Sequence, residues 1–236
     1  DVYKRQLENY LTFQYSVLPE TFFKGVFKLP PAHCFTFKDG KMDIKRYWEP
    51  VFEPDHTKSL EQFVDDIDNA MQDSIKKHKI SDVEVGSFLS SGVDSSYVAA
   101  SFHGDKTFTV GFDYEKYNEI DYAKALSEKI KIDNYNKLIS KDEYWDVIGK
   151  VQYHMDEPLA DPSAIALYFV SQTAAKHVKV SLSGEGADEF FGGYNIYREP
   201  HDLLPLTRLP RPVRKAMGAV AVSYTHLRAH ETDQYL

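Results

Sequence analysis

Cysteine is almost missing from this chain. Cys34 stands alone in 236 residues, so no internal disulfide framework is available and a reducing compartment is expected. Positive charge is scarce as well. Against 28 Lys and Arg stand 36 Asp and Glu, a net charge of −8, which argues against a general nucleic-acid binder with its basic face. No apolar run approaches the roughly eighteen residues of a membrane span, and no charged-then-apolar leader opens the chain. Together these absences point to the cytoplasm, with neither nucleic acid nor membrane as partner. The Walker A pattern is also missing, which excludes an ordinary kinase or GTPase phosphate loop. What is present, 42% hydrophobic residues, suffices for one large or two smaller globular domains.

The most informative stretch is Phe88-Leu89-Ser90-Ser91-Gly92-Val93-Asp94-Ser95-Ser96. It follows the alternating segment Val83-Glu84-Val85-Gly86 and runs into apolar Tyr97-Val98-Ala99-Ala100. That order predicts a strand, a tight loop of small residues and a helix start. Small side chains let backbone N–H groups approach an anion, and a helix N-terminus adds roughly half a positive charge. Ser90, Ser95 and Ser96 can donate to phosphate oxygens, and Asp94 can hold a bridging Mg2+. The same residues also suit a serine-capped helix with no ligand.

A second segment has the same order. Val178-Lys179-Val180-Ser181-Leu182 reads as a buried strand and leads into Ser183-Gly184-Glu185-Gly186-Ala187-Asp188-Glu189-Phe190-Phe191-Gly192-Gly193-Tyr194. Two such transitions fit one parallel sheet, whose ligands sit beyond the carboxyl ends of the strands. Glu185, Asp188 and Glu189 repel one another unless a cation or cationic group lies among them. An acidic, solvated helix start accounts for the carboxylates equally well, but not for the Gly-x-Gly and Gly-Gly punctuation.

Periodicity supplies the rest. Residues 7–24 hold a short helix and loop. His33 to Phe37 and Met42 to Trp48, joined through Asp39-Gly40, predict an antiparallel hairpin, which places Cys34 in a strand with a buried apolar role. Pro50 to Thr57 reads as a linker. Ser59 and Gln62 form a capping box, and Leu60, Phe63, Val64, Ile67, Met71 and Ile75 make an apolar stripe read as core. Strands near 83–89, 107–112 and 178–182, with a further one at 133–139, alternate with helices near 95–102, 118–129, 141–153 and 163–177. This βαβ alternation predicts an α/β fold with a parallel sheet covered on both faces. The proline-rich run Pro200 to Pro212 cannot be one regular element.

The two loop segments together resemble the asparagine synthetase family, glutamine-dependent enzymes built on a PP-loop ATP pyrophosphatase domain (adenine nucleotide alpha hydrolase-like). Leu89 to Ser96 resembles the family's S-G-G-x-D-S pyrophosphate loop, with Ser91 where its first Gly usually stands. Ser183 to Tyr194 resembles its S-G-E-G-A-D-E segment. Thr107 to Phe112, Asn118 to Ala123, Asp156-Glu157-Pro158 and Asp161-Pro162-Ser163 add to the likeness, which runs from about Leu7 to Val222. The resemblance implies residues 7–50 as the remnant of an N-terminal-nucleophile glutaminase domain, 51–58 as a linker and 59–222 as a truncated ATP-binding synthetase domain. Asp1 to Gln6 and Ser223 to Leu236 resemble translated adapter sequence, which sets aside the tempting His226, His230 and Glu231 spacing as a metal site.

What the resemblance implies chemically is an ATP- and Mg2+-dependent ligase of asparagine biosynthesis. Aspartate would be activated as β-aspartyl-AMP with loss of pyrophosphate, and ammonia from glutamine would then displace AMP. Ser90, Ser91, Gly92, Asp94, Ser95 and Ser96 would bind pyrophosphate, Asp94 and Asp188 the metal, and Ser183 and Gly184 the nucleotide. Leu89, Val110 and Gly111 would border the adenine, although strand packing explains the first two as well. Glu185 is the candidate for the ammonia step, and Tyr194 for shaping the intermediate's pocket. Asp156, Asp161 and Ser163 are either neighbours of the aspartate site or caps and turn residues. No N-terminal cysteine is available for glutamine hydrolysis, so the chain by itself is expected to be weak or inactive. Three alternatives stay open: a sister amidotransferase or β-lactam-synthetase-like enzyme that adenylates another carboxylate, a tRNA-modifying or NAD-synthetase PP-loop enzyme, and a non-catalytic ATP-binding module. A homodimer is also left open.

Overall fold

The structure is a computed structural model that describes residues 2–114, 118–158 and 160–219. The chain falls into two compact units, Asp1–Gly184 and Glu185–Leu236.

The first unit opens with helix α1 (Val2–Phe13), which begins inside the segment expected to be non-native. Strands β1 (His33–Lys38) and β2 (Lys41–Arg46) then form the expected antiparallel hairpin. Its turn is set by Asp39 and Gly40, with φ of 50° and 74°. Two successive positive φ values match the twist of paired strands, and Asp-Gly adopts them readily. Cys34 is exposed, however, not buried. Strand periodicity places a residue on a face, whereas burial needs a second layer over that face, and every residue of β1 beyond His33 is exposed.

Helix α2 (Leu60–His78) begins at the predicted capping box, where Ser59 accepts from the Gln62 N–H and Gln62 accepts from the Ser59 N–H at 2.8 Å. The apolar stripe is a correction. Leu60, Val64 and Ile67 are exposed, and only Ile75 is buried. Helix α3 (Val93–Phe102) meets α2 through polar contacts instead: Gln72 donates to Tyr97 and Ser101, and the Tyr97 hydroxyl donates to Asp68.

A four-stranded parallel sheet organises the remainder, with the order β5-β4-β3-β6. Its strands are β3 (Val85–Phe88), β4 (Lys106–Phe112), β5 (Asp133–Ile139) and β6 (Val180–Leu182). Helices α3 and α4 (Ile120–Ile130) connect β3 to β4 and β4 to β5. Helices α5 (Lys141–His154) and α6 (Ser163–Ala174) return the chain to β6 on the far side of β3. Strand order therefore reverses at β3, between β4 and β6. In open α/β sheets that reversal opens a crevice beyond the carboxyl ends of the strands.

Alternation along β4 divides the core. Phe108 and Val110 pack with Val170, Ala174 and Val178, while Val110 and Phe112 also meet Ile139, Val147, Ile165 and Phe169. Phe108 is wholly buried, worth roughly 1.5–3 kcal/mol of transfer free energy. On the opposite face stand Thr107, Thr109 and Gly111. The Thr107 hydroxyl lies 3.1 Å from that of Ser127 on α4, and Asn134 donates to both threonines. Buried hydroxyls are stable here because each has a partner.

The second unit contains α7 (Ala187–Phe191), a 3-10 turn (Asn195–Tyr197), and short helices α8 (Glu199–Asp202) and α9 (Leu204–Thr207). Residues 211–219 are helical. The proline-rich run is thus broken into separate turns, as its composition predicts. Residues 223–236, with His226, His230 and Glu231, lie outside the described residues.

Candidate functional site

The loop after β3 is built from its own side chains. Ser95 Oγ accepts from the Ser90 N–H at 3.1 Å and lies 2.7 Å from Ser90 Oγ. Ser90 Oγ accepts in turn from the Gly92 N–H at 3.1 Å. The hydroxyls of Ser95 and Ser96 donate to the Gly92 carbonyl at 3.2 and 2.7 Å. Gly92 is the N-cap of α3, and its extended backbone (φ −72°, ψ 150°) turns the chain into the helix. Asp94 sits exposed in the first turn, where the helix dipole favours a carboxylate. Ser91 has no positive φ, so a serine fits this position without backbone strain.

One neighbour came from outside the predicted set. Glu119, at the start of α4, accepts from the Ser91 N–H at 3.2 Å and from the Ser91 hydroxyl at 2.9 Å. Its segment carried part of the family likeness, but nothing local to Glu119 announces a partner 28 residues earlier.

Three other predicted residues take up backbone positions around this loop. Leu89 is buried against Ala99 and Ala123, so its side chain belongs to the core. Its N–H donates to the Phe108 carbonyl at 2.9 Å, and its carbonyl accepts from the Thr109 hydroxyl at 2.8 Å. Val110 packs into the core on the other face. Gly111 is buried, and a Cβ there would stand 2.7 Å from Asn118 Oδ1 and 3.1 Å from Ile120. Its missing side chain therefore already accommodates the start of α4.

The loop after β6 reaches the same place. A Cβ on Gly184 would lie 2.8 Å from the Ser95 nitrogen and 3.1 Å from the Asp94 carbonyl carbon. Only glycine permits that approach, so the chain after β6 runs along the N-terminus of α3. Ser183 precedes it and is exposed.

In the second unit, Gly186 (φ 92°) and Gly192 (φ 67°) flank α7 in the left-handed region, which explains much of the glycine punctuation. Asp188 and Glu189 lie in the first turn of α7, and Gly193 leaves room for the Asp188 carboxylate. The Tyr194 hydroxyl donates to Glu189 Oε1 at 3.1 Å. That bond, partial burial, and the charges of Glu189, Asp188 and Glu185 all push the Tyr194 phenol above its ordinary range. The phenol therefore stays protonated, as a donor, in a field of carboxylates.

Asp161 accepts from the Ser163 N–H at 2.9 Å in the turn before α6, whose N-cap is Pro162, and Asp156 holds a turn with φ 60°. Among the described residues, no three His, Cys, Asp or Glu side chains converge into a ready metal cage.

Fold and loops define a doubly wound α/β domain in which the loops after β3 and β6 meet at the topological switch point. The family model for asparagine synthase matches residues 66–236, and the chain belongs to that family. It is 45% identical over 226 residues to glutamine-hydrolyzing asparagine synthetase 1 of Bacillus subtilis, covering 94% of this chain and 36% of that protein. A relative from Mycobacterium bovis is 42% identical over 225 residues, 92% of this chain and 34% of its own length. Glutamine-hydrolyzing asparagine synthetase 3 of Bacillus subtilis is 33% identical over 192 residues, 73% of this chain and 31% of that protein. The chain thus spans about a third of the length of these relatives.

Proposed function

We propose that this chain carries the ATP-dependent half-reaction of a glutamine-hydrolysing asparagine synthetase, a ligase. The observation that carries the reading is the approach of Gly184 to the Ser95 nitrogen, which sets the loops after β3 and β6 against one helix N-terminus at the switch point. A nucleotide's phosphates suit such a cradle of small residues and helix-end donors.

In this reading the aspartate side-chain carboxylate attacks the α-phosphorus of ATP, and the bond to the departing pyrophosphate breaks. Ammonia then attacks the β-carbonyl carbon, loses a proton, and AMP leaves. Activation is required because a carboxylate is a poor acceptor for an amine. Ser90, Ser91, Gly92, Asp94, Ser95 and Ser96 form the loop that receives the pyrophosphate portion. Leu89, through its fixed backbone, borders the base with Val110 and Gly111, while Ser183 and Gly184 contact the nucleotide. Asp94 and Asp188 would hold Mg2+, which when bound neutralises charge on the phosphates. Glu185 follows Gly184 directly in the chain and takes up the ammonia proton. Tyr194, whose hydroxyl donates to Glu189, shapes the pocket of the activated acyl group. Residues 7–50 are proposed as part of a glutaminase domain, 51–58 as linker, and 59–222 as part of the synthetase domain, in a cytoplasmic protein.

The test uses the uninterrupted reading frame, incubated with Mg2+-ATP, aspartate and ammonium. Equal amounts of AMP, pyrophosphate and asparagine are expected. AMP formed only with another carboxylate keeps the adenylation chemistry and moves the substrate. ADP, or no turnover, overturns the reading.

A further inference from the structure

We infer that Glu119 is the positioning residue of the phosphate-binding loop, an inference that rests on the nucleotide reading above. From Ser91 to Asp94 the loop is exposed, so side-chain packing does not fix its shape. Hydrogen bonds hold three consecutive N–H groups instead. Those of Ser90 and Gly92 are held locally, by Ser95 and Ser90 at 3.1 Å each. The Ser91 N–H, between them, is held from across the fold, by Glu119 Oε2 at 3.2 Å.

The Ser91 hydroxyl gives the clamp a second arm, 2.9 Å from Glu119 Oε1. Two parallel donors on one carboxylate fix direction as well as distance, and a charged acceptor strengthens both bonds. Ser91 thus has a use that glycine could not supply, and its backbone carries no positive φ to offset.

Glu119 is itself well placed to be rigid. It is the N-cap residue of α4 and half-buried, where the helix dipole stabilises its charge. Its neighbour Asn118 accepts from the Ile120 N–H at 3.2 Å and fills the space a Cβ on Gly111 would take, 2.7 Å from Oδ1. One short segment at the start of α4 therefore holds two features. Glu119 fixes the loop after β3, and Asn118 lies against the carboxyl end of β4. In the proposed site these are the phosphate side and the base side of one nucleotide. Presetting both removes ordering that binding would otherwise have to impose. Glu119 acts through Ser91, so its effect falls on nucleotide binding and not on aspartate.

The experiment uses the uninterrupted protein and its E119A, E119Q, S91G and E119A/S91G variants. Equilibrium titration with Mg2+-ATP, KM for ATP and for aspartate, and thermal midpoints are compared. E119A should weaken ATP binding about tenfold, the scale expected for a charge-assisted pair. S91G, which keeps the N–H and loses the hydroxyl, should weaken it about threefold, with E119Q between the two. The double variant should be no weaker than E119A, and KM for aspartate and the thermal midpoint should stay at wild-type values. Unchanged ATP affinity in E119A and S91G overturns the proposal. So does a loss shared equally by ATP and aspartate with a lowered midpoint, which marks a structural role. Tighter ATP binding in E119A overturns it as well, by making the carboxylate a competitor for the loop. Wild-type protein that binds no ATP removes the nucleotide reading first and this role with it, whereas wild-type binding with an indifferent E119A removes this role alone.

Discussion

The backbone of Gly184 passes so close to the Ser95 nitrogen that a methyl group at Gly184 would stand 2.8 Å from it. Both partners are backbone, so neither can move aside by changing rotamer. Gly184→Ala should push the chain after β6 away from α3, with an overpacking cost of about 1–3 kcal/mol. It should also weaken Mg2+-ATP binding more than Gly149→Ala, whose added Cβ meets nothing within 4 Å. Urea unfolding and nucleotide titration of the two variants decide the point, and equal behaviour would separate the close approach from function.

The Thr109 hydroxyl is buried, donates to the Leu89 carbonyl at 2.8 Å, and accepts from Asn134 Nδ2 at 3.0 Å. Thr109→Val keeps the shape and leaves that carbonyl without this donor. The expected destabilisation is about 1–3 kcal/mol, the penalty for a buried polar group losing its partner. Thr109→Ser should recover most of it. Chemical denaturation checks both. A valine variant as stable as wild type would mean that the threonine face of β4 is a packing surface only.

These two relationships mark where sequence reading reaches and where it stops. Local chemistry was legible: the capping box at Ser59 and Gln62, the Asp39-Gly40 turn, and the strand-to-helix order around Ser90 follow from neighbouring residues. Strand existence was legible too, although β3 and β6 are shorter than their apolar runs. Burial was less so. The stripe on α2 shows which face is apolar, but Leu60 and Val64 are exposed because periodicity says nothing about a covering layer. Cys34 fails for the same reason. Sheet order rests on pairings such as Val85 with Val180, nearly a hundred residues apart, which no local pattern encodes. Glu119 escaped notice as a site residue on that ground as well. Its partner is chosen by the fold.

Glu143 gives the fold a specific acid sensitivity. Its carboxylate bonds to Lys137 at 2.6 Å and to the Ser140 N–H at 3.0 Å, closing the capping box of α5. Those partners, Lys137 foremost, hold its pKa down to about 2 from an ordinary 4.5. A carboxyl group depressed on folding stabilises the native state above its unfolded value and loses that contribution as pH falls towards the folded one. Thermal stability should therefore decline between about pH 4.5 and pH 2, and Glu143→Gln should flatten the decline in that window. Melting curves across the range test it; identical slopes in wild type and variant would assign the acid loss to other carboxylates.

Gly193 and Asp188 lie against each other in the second unit. A Cβ on Gly193 would overlap the Asp188 carboxylate and stand 3.3 Å from its Cα, and the Gly193 N–H donates to the Asp188 carbonyl at 3.0 Å. The backbone bond can persist in Gly193→Ala, but the carboxylate must leave its present rotamer. If Asp188 holds Mg2+ as proposed, that displacement should raise the Mg2+ concentration needed for half-maximal pyrophosphate release by about tenfold, the effect expected of a misplaced ligand or its support. Asp188→Asn should do the same, and the double variant should be no worse than either, because both changes remove one interaction. Gly218→Ala, with open space around its Cβ, is the control. A Gly193→Ala enzyme with wild-type Mg2+ dependence and lowered turnover would instead give Asp188 a role in shaping the start of α7, and the metal would have to be held by other groups.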